Sequence, residues 1–120
     1  MTTSIITRKQ VPEHKRLSHT AKLFGANFPM AFEPTVYNIT DNIADDYNGG
    51  YWEFYELSNG GFYMAPQSDK LFQVSCENGY EGKLSGDDLG IVACHYAYSN
   101  LSFSSGAFAE TCAQQYHWLA

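Results

Sequence analysis

The stretch that decides the fold is Tyr51-Trp-Glu-Phe-Tyr-Glu-Leu-Ser-Asn-Gly-Gly-Phe-Tyr-Met-Ala65. It contains two apolar runs, and both are rich in aromatic side chains, which favour strands. Asn59-Gly60 separates the runs, and an Asn-Gly pair in this position is the strongest short-range signal of a β-hairpin. The stretch therefore predicts two antiparallel strands that are joined by a tight turn.

Two further strands are predicted after this hairpin. The segment from Leu71 to Cys76 alternates between apolar and polar side chains, which is typical of a half-buried strand. A second pair, Asn78-Gly79, turns the chain into a short strand near Tyr80 to Leu84. The four strands follow one another along the chain, so they predict an antiparallel meander.

Two helices are predicted before the strands. The first begins near Pro12 and ends at Gly25, and the second begins near Pro34 and ends at Asn48-Gly-Gly50. Proline suits the first turn of a helix, where its missing N–H costs nothing, and glycine suits the position just past the end.

Two more helices are predicted after the strands. Ser85 and Asp88 have the spacing of a capping box, with Asp in place of the usual Glu. The helix that they begin is apolar on more than one side, which predicts a central, buried position. A last apolar stripe, from Phe108 to Leu119, predicts the fourth helix.

The order of these elements predicts the fold class. The chain has 120 residues, which is enough for one domain with one core. Helices that are segregated from a run of consecutive strands indicate an α+β fold. We therefore predict an α+β single domain over residues 11–120, with an antiparallel β-meander of about four strands packed with about four helices. Residues 1–10 are predicted to form a flexible N-terminal arm.

The charges of the chain are unevenly distributed. The net charge is −6, yet residues 1–22 contain five basic residues and a single acid. The remaining residues contain only Lys70 and Lys83 against twelve acids. An acidic body repels nucleic acid and attracts a basic surface, although acids that serve only solubility are the commoner case.

Cysteine usage and hydropathy indicate a cytoplasmic protein. Cys76, Cys94 and Cys112 are odd in number and widely spaced, unlike a disulfide framework or a zinc clip. They are expected to be reduced and mostly buried. No apolar run approaches the roughly 18 residues of a membrane helix, and the first residues lack the apolar region of a secretory signal.

No catalytic template fits the sequence. The nucleophile-elbow pattern Gly-x-Ser-x-Gly is absent. Cys94 and His95 are adjacent on a predicted helix, where their side chains diverge by about 100°, so they cannot act as a nucleophile–base pair. Glu53 and Glu56 lie on opposite faces of a predicted strand and cannot converge without a bulge. We therefore predict that the protein is not an enzyme.

Binding sites for metals, cofactors and nucleic acid are not predicted either. The four histidines lack the three- or four-residue spacing with which two imidazoles on one helix grip a metal. The paired glycines lack the nucleotide-binding patterns. Stacking of nucleic-acid bases on the aromatic hairpin would require a neighbouring basic groove, and the hairpin carries only acids. No cofactor and no stable direct binding of nucleic acid are expected.

Three stretches of the sequence resemble one protein family. They are Asn48 to Pro66, the run Ala93-Cys-His-Tyr-Ala-Tyr-Ser-Asn-Leu-Ser-Phe103, and Phe108-Ala-Glu-Thr-Cys112. These stretches look like the signature of the ArdB/KlcA antirestriction family, and the resemblance extends from about residue 11 to the end. It implies an α+β fold, a gene carried by a plasmid, prophage or genomic island, and no catalytic residues.

The resemblance also implies a function. A protein of this kind relieves type I restriction-modification, so that incoming DNA survives. Its expected partner is the type I restriction enzyme complex or an associated host factor, and its expected state is a monomer or weak homodimer. Two alternatives stay open, namely an acidic DNA mimic that inhibits the restriction complex and, less favoured, a small hydrolase.

The candidate contact residues are acids that the predicted helices and their ends leave exposed. A basic partner surface would be attracted to them. The alternative is that they are solvated helix faces and N-terminal caps. The candidates are Asp41, Asp45, Asp46, Asp87 and Asp88.

Overall fold

The aromatic hairpin forms the centre of a three-stranded antiparallel sheet in the computed structural model of the chain, which describes residues 6–47, 49–76, 79–103 and 106–119. Strand β2 is Trp52–Leu57 and strand β3 is Phe62–Pro66. Their register places Tyr55 opposite Tyr63. The predicted hairpin is confirmed, and Gly60 supplies the positive φ of 96° that its turn requires.

The third strand of this sheet lies within the predicted arm. Strand β1, Arg8–Gln10, pairs antiparallel with the outer edge of β2. The expectation of a flexible arm is therefore wrong for these three residues. The pairing satisfies backbone groups along that edge of β2, and three exposed polar side chains carry no apolar pattern from which it could be predicted.

The remaining strands form a second sheet. Strand β4, Phe72–Ser75, pairs antiparallel with β5, Glu81–Leu84. All four predicted strands are present, but they divide into two sheets and β3 does not pair with β4. Asn78 of the predicted second turn lies outside the described residues.

The first two helices are shorter than the sequence predicts. Helix α1 is Arg16–Phe24, preceded by a 3₁₀ turn over Glu13–Lys15. Helix α2, Glu33–Ile43, follows directly on a π-helical turn, Phe28–Phe32, which will be called the π-turn. Helix α2 ends earlier than predicted because Ala44 turns to extended backbone and forms a bridge with Val74 of β4.

The last two helices agree with the prediction. Helix α3 is Gly86–Ser102 and helix α4 is Ala107–Leu119. The Oγ of Ser85 accepts a hydrogen bond from the backbone N–H of Asp88 at 3.1 Å, which is the predicted cap. The α+β class, the single domain and the four α-helices found among the described residues are thus as expected.

The core lies between the sheets and the helices. Rings from α1, the π-turn and the hairpin pack together, as in the stacking of Phe24 on Phe32 at 5.3 Å and the contact of Phe28 with Phe62 at 5.9 Å. Helix α3 is central, with Leu89, Ala93, Cys94, Ala97 and Tyr98 all buried. None of the described helices combines the length and the apolar character that spanning a bilayer requires.

Candidate functional site

Side chains of α3 and α4 occupy the open edge of strand β3. The Tyr98 hydroxyl donates to the Phe62 carbonyl at 2.7 Å, and the Phe62 N–H donates to Oε1 of Gln115 at 2.8 Å. The Met64 N–H donates to Sγ of Cys94 at 3.4 Å, and this thiol donates to the Met64 carbonyl at 3.5 Å. These bonds satisfy backbone groups that a neighbouring strand would otherwise pair, so the sheet ends at β3.

The same contacts assign a structural role to Cys94. Its thiol is fully buried, and burial raises its pKa to about 12, so the reactive thiolate is strongly disfavoured. The prediction that Cys94 belongs to the core is confirmed. Gln115 was not predicted, because a glutamine in an otherwise apolar helical stripe gives no indication that a strand edge will face it.

His95 is separated from Cys94, as helical geometry predicts. Its ring stacks on Tyr116 of α4, with centroids 4.0 Å apart and planes 14° from parallel. Burial lowers the pKa of His95, although a hydrogen bond to the Tyr116 backbone opposes the shift. The imidazole is therefore predominantly neutral at neutral pH and packs as an aromatic ring.

The two glutamates of β2 are held by different residues of α1. Nη2 of Arg16 lies 3.1 Å from Oε2 of Glu53, and the guanidinium also lies 4.5 Å from the ring centroid of Phe54. Nε2 of His19 lies 3.0 Å from Oε2 of Glu56. Each carboxylate is thus engaged in docking α1 on the sheet, and the pair does not form the two-carboxylate centre of a glycosidase.

A second polar cluster joins β1 to the start of α3. Arg8 forms an ion pair with Asp87, and its guanidinium lies 4.5 Å from the ring centroid of Tyr55. Nη1 of Arg8 donates to the Tyr63 hydroxyl at 2.6 Å, and this hydroxyl donates to Asp87 at 2.7 Å. Burial raises the pKa of Tyr63, so the phenol stays protonated.

The predicted contact acids fall into two groups. Asp41 and Asp45 are exposed at and just beyond the end of α2, and Asp88 is exposed in the first turn of α3. Asp46 is half-buried, and its carboxylate accepts from the Gln73 N–H at 3.2 Å. Asp87 is half-buried in the cluster described above, so the expectation of free exposure is wrong for these two acids. Their internal partners come from distant segments, which the local sequence does not show.

The described residues contain several grooves but no metal centre. A groove of about 490 Å³ lies between the β4–β5 hairpin and α3, and its walls are mainly apolar. Another, of about 300 Å³, lies between α1 and the π-turn and includes Arg16, Leu17 and Pro29. Among the residues placed by the structure, no three His, Cys, Asp or Glu side chains are grouped closely enough to hold a metal ion.

The chain is similar to antirestriction proteins in its sequence. Residues 45–120 match the model of the antirestriction protein family. Two Escherichia coli proteins named antirestriction protein KlcA are 35% and 37% identical to the chain over 117 and 122 residues, which cover 95% and 98% of this chain and 82% and 84% of theirs. A putative antirestriction protein of strain K12, YubI, is 39% identical over 82 residues, covering 68% of this chain and 57% of its own length.

A solved structure has the same architecture. It superposes with a TM-score of 0.89 at 35% identity, and the match covers 99% of this chain and 87% of the other. The solved structure is that of the KlcA and ArdB proteins. Those proteins have a novel fold and show antirestriction activity against type I DNA restriction systems in vivo but not in vitro.

Proposed function

The chain belongs to the antirestriction protein family, and from that membership we propose that it relieves type I restriction of incoming DNA through non-catalytic contact with another macromolecule. The observation that carries the proposal is the match in both sequence and fold to KlcA and ArdB, whose activity is directed against type I systems. The proposed partner is the type I restriction complex or an associated host factor, met in the cytoplasm by a monomer or weak homodimer.

The non-catalytic part of the proposal is supported by how the reactive side chains are used. The Cys94 thiol is buried and protonated, His95 packs against Tyr116, and the two glutamates of β2 hold α1. A catalytic centre needs a nucleophile or base that can reach a substrate in a suitable protonation state. The candidates weighed from the sequence are each engaged in packing or docking.

The relatives act in cells but not in vitro, and this difference is informative about the mechanism. KlcA and ArdB relieve type I restriction in vivo but not in vitro. A protein that simply occupied the DNA-binding groove of the enzyme would also inhibit the purified enzyme. This difference favours a mechanism that requires another component of the cell, and it supports the host factor as the partner of this chain.

DNA mimicry is the second candidate function, and the acidic body of the chain motivates it. A mimic needs rows of free acids at a spacing comparable to that of phosphates, about 1.7 Å of duplex axis for each charge. Of the five candidate acids, Asp46 and Asp87 are engaged by Gln73 and Arg8, which leaves two exposed acids at and just beyond the end of α2, Asp41 and Asp45, and one in the first turn of α3, Asp88. This arrangement is sparse for a mimic, so contact without mimicry is preferred.

The experiment is a phage-plating assay in a strain with an active type I system. Unmodified phage should plate more efficiently when the chain is expressed, and equally well with or without it in a strain lacking the system. Equal plating in the restricting strain would refute the proposed function. A triple variant, Asp41→Asn/Asp45→Asn/Asp88→Asn, tests the contact acids: relief should fall if they bind the partner, and unchanged relief would eliminate them.

The mechanism needs a separate measurement. Purified protein is added to purified type I enzyme at low and at high salt. Inhibition at low salt that weakens steeply as salt rises would favour the mimic, because electrostatic binding to a DNA site is strongly screened. No inhibition at either salt concentration, together with relief in cells, is the expected result.

A further inference from the structure

The outer edge of strand β5 is open, and its charges are complementary to those of a second copy. We propose that the chain forms a weak homodimer in which two copies of β5 pair antiparallel about a twofold axis at Gly82. The paired segment, Glu81-Gly82-Lys83, will be called the β5 edge. The inference specifies the self-association that the proposed function leaves open, and its test does not depend on relief of restriction.

The hydrogen bonds of the second sheet identify the backbone groups that lie on the β5 edge. The Cys76 N–H donates to the Tyr80 carbonyl at 2.9 Å, so these residues form a hydrogen-bonded pair of the antiparallel ladder. Such pairs alternate along a ladder, and the register therefore directs the even-numbered residues of β5 towards β4. The N–H and C=O groups of Glu81 and Lys83 point away from β4.

The opposite strand shows the same orientation. Gln73 is the register partner of Lys83, and its N–H donates to the Asp46 carboxylate at 3.2 Å instead of to β5. Among the described residues, the outward N–H and C=O groups of Glu81 and Lys83 have no backbone partner. A strand edge with unpaired backbone groups is a template for the addition of another strand.

Pairing about Gly82 satisfies these outward groups. Glu81 of each copy lies opposite Lys83 of the other, and the two residues exchange both of their backbone hydrogen bonds. The twofold axis generates this pair twice, so the dimer gains about four backbone hydrogen bonds. Tyr80 of each copy then lies opposite Leu84 of the other. Both of these side chains line the apolar groove between the hairpin and α3, so they form an apolar cross-strand pair on that face.

The side-chain charges favour a second copy as the partner of β5. Glu81 and Lys83 are exposed on one face of the strand, where each would meet the opposite charge of the second copy. Within the described part of the chain, the Glu81 carboxylate is contacted by the Ser75 hydroxyl at 3.5 Å, and Lys83 forms no ion pair. A lysine on an edge strand ordinarily discourages pairing, but Glu81 of the second copy would neutralise it.

The outer edge of β1 is also open, but it is not complementary to itself. The Val11 N–H donates to the Phe54 carbonyl at 2.7 Å, so the alternation directs the backbone groups of Arg8 and Gln10 outwards. A twofold axis on this edge would lie at Lys9 and would place two lysines opposite each other. Like charges in that position destabilise a strand pair, so the β5 edge is preferred for self-association.

The homodimer is expected to be weak. The paired segment is short compared with the surface of a stable interface. Each copy also carries a net charge of −6, which opposes association at long range. This repulsion is largely screened at about 0.15 M salt, whereas charges in contact across the strands are screened less. We expect a dissociation constant between about 10 μM and 1 mM.

Reversal of the charges on the β5 edge tests the inference. Glu81→Lys and Lys83→Glu each place like charges opposite one another, whereas Glu81→Lys/Lys83→Glu restores opposite charges in exchanged positions. Glu110→Lys and Lys22→Glu are the matched controls, because they make the same changes in net charge at exposed positions of α4 and α1. Circular dichroism and urea unfolding establish that every variant is folded.

Sedimentation equilibrium at about 0.15 M salt measures the dimer. The unaltered chain should dimerise reversibly as its concentration rises to about 1 mM. Each single reversal at the β5 edge should raise the dissociation constant about tenfold or more, and the double reversal and both controls should stay within about threefold. A mixture of the two single variants should recover dimerisation, because each supplies the charge that the other requires. A monomeric unaltered chain, or single variants that dimerise like their controls, would overturn the inference.

Disulfide trapping tests the register and the identity of the partner. Chains with Glu81→Cys and with Lys83→Cys, both in a Cys76→Ser background, are mixed and oxidised with copper–phenanthroline; the remaining thiols are buried. Opposite residues of a hydrogen-bonded pair have Cα atoms about 5.5 Å apart, within reach of a disulfide, whereas identical positions of the two copies are diagonal and lie farther apart. The mixture should give a crosslinked dimer and each variant alone should give little. Equal crosslinking in the separate variants would overturn the register, and a mixture without crosslinks would exclude a second copy as the partner.

Discussion

Substitution of Gly90 tests whether α3 packs directly against the open edge of β3. This glycine lies in the helix where α3 crosses β3, and it is buried. A Cβ at this position would lie 2.5 Å from the Met64 carbonyl oxygen and closer still to Cα and Cβ of Ala65. Most of these atoms belong to backbone, so Gly90→Ala cannot be accommodated by rotation of a flexible side chain, and α3 must move away from β3.

The magnitude follows from opposing effects. Overpacking a close contact costs about 3 kcal/mol at the upper end of the usual range. Movement of α3 also weakens the bond from Tyr98 to the Phe62 carbonyl, which contributes about 1 kcal/mol. Alanine favours the helix over glycine by about 1 kcal/mol. The net loss in the free energy of unfolding is therefore about 3 kcal/mol, or roughly 10 °C in Tm for a chain of this length.

Urea unfolding followed by tryptophan fluorescence and by far-ultraviolet circular dichroism measures this loss. Asn100→Ala is the control, because Asn100 is an exposed residue of the same helix and its replacement favours the helix without adding a contact. The control should unfold at the same urea concentration as the unaltered chain or slightly above it. If Gly90→Ala also unfolded at an unchanged or higher urea concentration, the helix propensity of alanine would dominate. That result would refute the close contact between α3 and β3 at Gly90.

Three further predictions address the buried polar groups. Tyr98→Phe should lower the free energy of unfolding by about 1–3 kcal/mol in the same urea assay, because the buried Phe62 carbonyl loses its donor; an unchanged midpoint would contradict this role. Of the three thiols, only that of Cys76 should react with Ellman's reagent before unfolding, since it is partly exposed whereas that of Cys94 is buried with a raised pKa; rapid titration of all three would contradict the burial. Burial lowers the pKa of His95 in the folded protein below its ordinary value of 6.5, so the unfolded chain binds this proton more readily. The free energy of unfolding should therefore fall as pH decreases through 6.5. His95→Gln should reduce this pH dependence, and an unaltered profile of stability against pH would exclude His95 as its source.

The fold class could be predicted because its signals are local. Asn59-Gly60 between two aromatic runs specifies a hairpin within a few residues, and Ser85 specifies the start of α3 through its own hydroxyl. The apolar character of α3 on several sides predicts its central position. Each of these signals depends on residues that lie within one or two turns of one another in the chain.

The division of the strands into two sheets could not be predicted in this way. It depends on which groups reach the open edge of β3, and these come from Cys94 and Tyr98 on α3 and from Gln115 on α4, at least 30 residues away in sequence. Strand β1 poses the same problem, because it pairs across a separation of about 50 residues without an apolar pattern of its own. Long-range pairing of this kind is not encoded in periodicity.

Contacts between distant segments also determine which residues of the candidate site are exposed, and the sequence does not show these contacts. Three of the five acids proposed from the sequence are exposed, but Asp46 and Asp87 are engaged by residues of distant segments. Conversely, the spacing of Leu17, Ala21 and Phe24 predicts that these three residues form the buried stripe of the first helix, whereas Leu17 is 83% exposed. Phe24 and Thr20 form the buried side of α1 in its place. The difference between a packed and an unpacked apolar residue becomes apparent only once the neighbouring elements are in position.

The buried strand that belongs to the family match and the exposed acids proposed to contact a partner are different residues of the chain. The match to the family model begins at residue 45, and strand β3 within it is buried along its whole length. A buried strand explains why the fold persists, but it cannot reach a partner without unfolding. Asp41, Asp45 and Asp88 are exposed, so a substitution at these positions can alter contact with a partner while the buried strand stays intact. The unaltered chain and the triple variant Asp41→Asn/Asp45→Asn/Asp88→Asn therefore test separate statements in the plating assay. Family membership predicts that the unaltered chain relieves restriction, and a loss of relief in the folded variant would locate the contact that produces it.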